Sequence, residues 1–341
     1  MSSTEHFKAW VVSEETDTAS EKKRYQLNFE TRQLSDLPDG EVLIDVSHSS
    51  VNYKDALSAQ GNPGVTRVFP HTPGIDAVGK VLSDSSGTFK AGDEVIVTGY
   101  DLGMNTAGGF GEIIQVPASW VVRKPASLTA LQSMAIGTAG LTAAWCIEKL
   151  LHNGLQPSDG PVLVTGASGG VGSVAVNLLA DLGFEVHAMS GSESAKSMLT
   201  ALGASEIVSR QHLGEGLKKP MLKEVWAGAV DCVGGDTLFQ VVKSLKYGGS
   251  VACCGLVAGP AMSQATVFPF ILRGVNLLGV DSVNVPLAGK QALWDKLANE
   301  WTLSGLSALT QTISPADIPD ILQKIQQGET LGRYVLDWSQ G

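Results

Sequence analysis

The sequence predicts an α/β chain in two parts: a doubly wound parallel sheet and a barrel-like, mostly β domain. Three observations predict it. Residues 161–182, PVLVTGASGGVGSVAVNLLADL, read as a buried strand, a tight glycine turn and an amphipathic helix. Strands then recur at the interval that βαβ units require. Before them, residues 8–119 carry short strands parted by Asp-Gly, Pro-Gly and Gly-Asp joints.

The glycine turn carries the chemistry. Val162, Leu163, Val164 and Thr165 form an apolar, β-branched run, and Gly166, Gly169 and Gly172 follow at G-x-x-G-x-x-G spacing. Val171, Val174, Ala175, Leu178 and Leu179 then recur at three- and four-residue steps, which gives the helix one core-facing side. Glycines let the backbone approach a pyrophosphate closely, and the helix N-terminus points free N–H groups at it. The reading is a dinucleotide site; the alternative is a tight turn with no ligand.

The end of the next strand chooses the nicotinamide. NAD sites place an Asp or Glu there, about 20 residues on, for the ribose 2′-OH. Here the strand at 184–189 ends in Ser190-Gly191-Ser192, with no acid. Glu193 stands three residues after Ser190, the spacing of a capping box for the helix carrying Lys196, Met198 and Leu199. Small hydroxyl residues leave room for a 2′-phosphate, and Lys196 and Arg210 are nearby cations. NADPH is therefore expected over NADH, with an unengaged surface cation as the alternative role for Arg210.

In chain order, strands are expected at 7–12, 25–31, 41–48, 79–82, 94–98 and 110–116, with one short helix starting near Asn52, where Tyr53, Ala56 and Leu57 share a face. Residues 128–150 predict two helices broken at Gly137-Thr138-Ala139-Gly140. The parallel strands are expected at 184–189, 206–208, 229–232, 250–254 and 276–280, with the ligand crevice at their carboxyl ends, near Gly234-Gly235 and Gly255. The tail holds amphipathic helices, such as 318–325, and ends in a strand at 333–338 that is expected to pair back in the first domain.

At 341 residues, 43% hydrophobic and 17% charged, the chain can bury two cores. Its net charge of −10 and lack of a Lys/Arg block argue against nucleic acid as a partner. No apolar run is expected to reach the roughly 18 residues of a membrane helix. The first ten residues show no basic-then-apolar leader, so a cytoplasmic location is expected. Cys146, Cys232, Cys253 and Cys254 lack metal-ligand spacing and stand among apolar neighbours, which reads as buried, inert thiols.

Six segments in order carry a family resemblance: VNYKDAL (51–57), FPHTPGIDAVGKV (69–81), AGDEVIVTG (91–99), GGFGEIIQVP (108–117), IGTAGLTAA (136–144) and VTGASGGVGSVAV (164–176). Over residues 8–338 the chain resembles the medium-chain dehydrogenase/reductase superfamily in its zinc-free quinone oxidoreductase branch. PFILRGVNLLGVDSV (269–283) and GETLGRYVL (328–336) are similar to the bacterial acrylyl-CoA reductase subgroup. The resemblance implies a GroES-like catalytic domain (1–133 and 283–341) and a Rossmann domain for NADPH (134–282). Where zinc-dependent relatives carry a catalytic cysteine and a Gly-His-Glu segment, this chain has Asn52 and Gly74-Ile75-Asp76, and the loop with four zinc cysteines is missing. A catalytic zinc would lack a first shell of ligands. His71 alone does not supply one, and a hydrogen-bonded structural role is expected for it.

The implied reaction is NADPH-dependent reduction of the double bond of acryloyl-CoA to propionyl-CoA, without a metal. Tyr53 is the candidate proton donor or orienter beside the nicotinamide, against the alternative of a packed aromatic. Asn52 is a candidate amide donor to the ring or substrate, and Asp55 a loop-fixing residue. The resemblance places Gly166, Ser168, Gly169, Gly170, Val171 and Gly172 along the pyrophosphate and Ser190, Gly191, Ser192 and Arg210 at the 2′-phosphate. Leu256, Asp281 and Ser282 fall near the nicotinamide, and Arg333 toward the cofactor or the CoA phosphates. It also implies a homodimer joined through 276–282. Two other functions fit the same motifs: a broad NADPH reductase of quinones or enones, and an NADPH-binding sensor without turnover.

Overall fold

The computed structural model describes residues 5–16, 22–214 and 218–340; residues 1–4, on which the leader reading partly rests, lie outside them. The chain divides into two units. One comprises Met1–Thr138, Val283–Trp294 and Thr310–Gly341, and the other Ala139–Ser282 and Asp295–Leu309.

In the first unit, strands β1 (His6–Thr16) and β2 (Lys23–Gln33) form an antiparallel pair. Seven more strands build a sheet: β3 (Val42–Val51), β4 (Asp76–Asp84), β5 (Glu94–Thr98), β6 (Ile113–Val116), β7 (Val121–Arg123) and, from the tail, strands at Thr310–Ile313 and Arg333–Asp337. Alternating apolar positions of β3, β5 and β6 make its core, with Val42, Ile44, Val46, Val95, Val97, Ile114 and Val116 all buried. The tail strand Arg333–Asp337 returns to pair antiparallel with β3, Tyr334 opposite Val51. A second apolar cluster joins Ala56 of the helix Tyr53–Ala59 to Ile318, Ile321 and Leu322 of the helix Ile318–Gln327.

Strand β4 starts three residues earlier than the sequence reading, because Gly79 lies inside it. A Cβ there would stand 2.0 Å from the Asp45 carbonyl oxygen, so the glycine marks a close approach of β3 and not a strand end. Two strands were missed, β7 and Thr310–Ile313. Each is only three or four residues long, and the second gains its hydrogen bonds from a parallel partner distant in sequence.

The second unit is a six-stranded parallel sheet. Its strands are β8 (Val162–Thr165), β9 (Val186–Met189), β10 (Ala204–Val208), β11 (Trp226–Asp231), β12 (Leu245–Cys253) and β13 (Asn276–Gly279), in the order β10-β9-β8-β11-β12-β13; the two tail strands of the first unit are then β14 (Thr310–Ile313) and β15 (Arg333–Asp337). Strands β8 and β11 are buried along their whole length, as central strands covered on both faces must be. The order reverses between β8 and β11, which is where doubly wound sheets open a ligand crevice.

The helical stretch Ala130–His152 is two helices merged across Gly137, whose φ of 48° is left-handed. It is long and apolar enough to cross a membrane, but 72% of that window is buried inside the fold. Residues 295–309, expected with the β domain, cluster with the nucleotide unit. Ser304 donates to Asp181 Oδ1 at 2.7 Å and Gly305 N–H to Asn177 Oδ1 at 3.0 Å, which fastens them to the helix Gly170–Asp181.

Candidate functional site

In the nucleotide unit, β8 runs out at Thr165 and the chain turns through Gly166 at φ 60° into the helix Gly170–Asp181. A Cβ on Gly172 would come within 2.2 Å of the Gly166 carbonyl oxygen, so the turn closes only with glycine there. Above Gly169 the space is open: a Cβ there meets only Gly166 O, at 3.5 Å. The first N–H groups of the twelve-residue helix, on Gly170, Val171 and Gly172, lack intrahelical acceptors. This cradle suits an anion brought close to the backbone.

The end of β9 has no carboxylate. Ser190 donates its hydroxyl to Ser168 Oγ at 3.2 Å and accepts from the Ser192 N–H at 3.1 Å, which ties this corner to the glycine turn. The Arg210 side chain lies across Gly191: a Cβ there would stand 2.7 Å from its Cζ and Nε. Arg210 is exposed, and among the described residues it has no carboxylate partner. A guanidinium beside two serines is matched to a phosphate monoester. Lys196 is otherwise engaged, bonded to Glu193 at 2.7 Å. The expected Ser190–Glu193 capping box does not form: Ser192 is the N-cap of the short turn that starts at Glu193, and Ser190 faces the glycine turn.

Asp231 fastens the floor of this edge. It is buried at the end of β11, accepts from Thr165 Oγ1 at 2.6 Å and from Gly234 N–H at 2.7 Å, and burial raises its carboxyl above the usual range. An acid ending an apolar strand was the sequence signal for it. Leu256 is exposed on the loop after β12, Asp281 is exposed, and Ser282 accepts a hydrogen bond from Thr142 Oγ1 at 2.7 Å. The cysteines depart from the sequence reading. Only Cys146 is fully buried, and Cys232 and Cys254, from the ends of two strands, meet at 3.9 Å.

In the first unit, Tyr53 opens the helix Tyr53–Ala59 and is 46% exposed, so it is not a packed core aromatic. Its neighbours form a buried polar network. Asp55 is fully buried and accepts from the N–H groups of Asn52, Gly74 and Ile75 at 2.7–3.1 Å. Burial, and then Asp76, push its carboxyl up to about 7. Asp76, also fully buried, accepts from Ser50 Oγ, Asn52 Nδ2 at 3.0 Å, Thr138 N–H at 2.8 Å and Thr138 Oγ1 at 2.5 Å. Gly137 makes room for this: a Cβ there would lie 2.7 Å from Asp76 Oδ2.

Two expectations change as a result. Arg333 does not reach outward for a phosphate. It is 2% exposed and donates from Nε to Ala135 O at 2.8 Å and from Nη1 to Asn52 Oδ1 at 3.2 Å, because two buried carboxylates need a cation inside the fold. Asn52 is not a spare donor either: Nδ2 is spent on Asp76, Ser50 Oγ and the Ser50 carbonyl, and Oδ1 on Arg333. The amide is a strut behind Tyr53. His71 is buried with its backbone paired to Val12, and among the described residues its Nε2 has no hydrogen-bond partner.

Comparison with known proteins bears on the family and the two-part fold. The family model for the alcohol dehydrogenase GroES-like domain matches residues 38–126, and that for zinc-binding dehydrogenases matches residues 170–299. The acrylyl-CoA reductase AcuI of Ruegeria pomeroyi is 44% identical over 97% of this chain and 99% of its own. The yhdH oxidoreductase of Salmonella enterica, solved in complex with NADP, is 41% identical with a TM-score of 0.91, covering 97% and 99% of the two chains. The Bacillus subtilis protein yhfP, solved with NAD bound, is 40% identical with a TM-score of 0.93, covering 98% and 99%.

Proposed function

Because the chain belongs to the medium-chain dehydrogenase/reductase superfamily, in its quinone oxidoreductase-like branch, and is an oxidoreductase, we propose that it uses NADPH to reduce the carbon–carbon double bond of acryloyl-CoA. The observation that carries the reading is the Ser190-Gly191-Ser192 corner with Arg210 across it, in a chain 44% identical to an acrylyl-CoA reductase.

Bound NADPH would supply a hydride to the β-carbon of an alkene conjugated to the thioester. The residues do the rest. Gly166, Ser168, Gly169, Gly170, Val171 and Gly172 hold the pyrophosphate on the helix N-terminus, and Arg210 with the serines holds the 2′-phosphate. Leu256, Asp281 and Ser282 serve the nicotinamide end. Reduction moves negative charge onto the thioester oxygen, so a donor is needed there and a proton at the α-carbon. Tyr53 carries an exposed phenol that can supply one of them. Asn52, held by Asp76 and Arg333, fixes the backbone from which Tyr53 starts.

The test is steady-state turnover with acryloyl-CoA, crotonyl-CoA and a simple quinone, each with NADPH and with NADH. Acryloyl-CoA with NADPH is expected to be the fastest pair, and Tyr53→Phe to lower its kcat about 10²-fold with the fold intact. Faster quinone turnover would reassign the substrate, and an unchanged Tyr53→Phe rate would remove the phenol from the chemistry.

The protein is further proposed to act as a homodimer. Strand β13 is the outer edge of its sheet, and Val257, Val267, Ile271 and Leu272 are each more than half exposed in the same unit. Light scattering is expected to give twice the chain mass, and Ile271→Glu to shift it toward one; a monomeric wild type would overturn this.

A further inference from the structure

We propose that Cys232 and Cys254 are an oxidisable thiol pair that closes to a disulfide when the protein meets a hydroperoxide. The inference stands apart from the substrate reading and rests on the geometry of one sheet edge.

Strands β11 and β12 are parallel neighbours with Asp231 opposite Cys253, and Cys232 and Cys254 are the next residue of each. Neighbouring strands lie about 4.8 Å apart, inside the Cα separations that disulfides span. The two backbones are held close. Cys254 N–H donates to Asp231 O at 3.0 Å, and a Cβ on Gly255 would stand 2.0 Å from Cys232 O. The sulfurs are 3.9 Å apart, so side-chain rotation alone must bring them to about 2.05 Å. Each residue keeps part of its surface exposed while its thiol is largely enclosed, and Cys254 adjoins the exposed Leu256 loop. Cys253, in the sheet itself, makes no such approach.

The roles within the pair differ. The Cys254 S–H donates to Asp231 O at 3.4 Å and points at Cys232 Sγ at 3.9 Å, and its neighbours Cys146 and then Cys232 hold the Cys254 thiol below its ordinary range while their own are raised. Cys254 is therefore the attacking sulfur. Cys254 gives its proton to solvent, its thiolate attacks the hydroperoxide to form an S–O bond as O–O breaks, and the departing oxygen takes a proton back from solvent and leaves as alcohol or water. The Cys232 sulfur then attacks the sulfenic acid; S–S forms, S–O breaks, and hydroxide leaves with the Cys232 proton as water. Two thiols lose two electrons, and one hydroperoxide gains them.

The site adjoins the glycine turn. A Cβ on Gly166 would lie 3.4 Å from Cys232 Cβ, and Cys232 N–H donates to Thr165 Oγ1 at 3.1 Å.

The full-length protein would be treated with hydrogen peroxide, blocked with iodoacetamide, digested without reductant and mapped by mass spectrometry. The expected result is a Cys232–Cys254 linked peptide pair, lost on dithiothreitol treatment, with reactive thiols in the denatured protein falling from four to two. In Cys232→Ser the sulfenic acid persists and dimedone labels Cys254, whereas Cys253→Ser still forms the link. Four alkylated cysteines after oxidation, a link through Cys146 or Cys253, or a link between chains would overturn the proposal. The wild-type map decides it even where a variant fails to fold.

Discussion

Arg210→Ala is expected to raise the KM for NADPH about 10- to 100-fold and to leave the KM for NADH nearly unchanged. A hydrogen bond from a charged group to an anion contributes about 1.5–3 kcal/mol, and each 1.4 kcal/mol is about tenfold. The loss should fall on NADPH alone, since only it carries the 2′-phosphate that Arg210, lying across Gly191, is proposed to meet. Arg210 is exposed and makes no ion pair among the described residues, so its removal should leave the melting temperature unchanged. The converse change, Ser190→Asp, puts a carboxylate at the end of β9, where it repels a phosphate and can accept from a ribose hydroxyl. It should move the preference toward NADH. Equal effects of Arg210→Ala on both cofactors would mean that the arginine contributes only general charge, and the NADPH assignment would lose its structural basis.

The glycine turn was legible because each of its parts is local. A β-branched run, glycines three residues apart and a helical period all lie within 22 residues, and the backbone follows them. Arg210 was legible only as a nearby cation; its seat on Gly191 depends on the path from β10. The polar network was not legible. Asp55 and Asn52 read as a capped loop, but their partners come from β3, β4, the Gly137 break and β15, and no sequence period links these. The same holds for the thiols, whose strand-end positions matter and whose spacing does not. Arg333 was misassigned for a related reason. An arginine after Gly-Glu-Thr-Leu-Gly has the composition of a surface loop, and only antiparallel pairing of β15 with β3 turns it inward.

Removing that arginine is expected to be strongly destabilising. Arg333→Met leaves Asp55 and Asp76 buried without the cation whose charge faces them. Arg333 bonds Asn52 and Ala135 and makes no direct ion pair with either carboxylate among the described residues, so the about 3–5 kcal/mol cost of breaking a buried pair is the upper end of the expected loss. The loss should depend on pH. Burial and Asp76 already raise the Asp55 carboxyl to about 7, above the value near 4 of an unfolded aspartate, so the folded state binds that proton more tightly. Its contribution to stability is therefore fully present below about pH 4 and declines as pH rises through about 7. Without Arg333 the folded-state value rises further, and the decline extends to higher pH. Urea denaturation of Arg333→Met should accordingly show a larger loss at pH 8 than at pH 5, while wild type varies less over that range. Asp76→Asn in the same chain removes one of the two buried carboxyls and should recover part of the loss, a coupling expected between groups that share Asn52 as a partner. A loss under about 1 kcal/mol that is equal at both pH values would show that the buried carboxyls do not depend on the charge of the arginine. Asn52 would then have to be held by Asp76 and Ser50 alone.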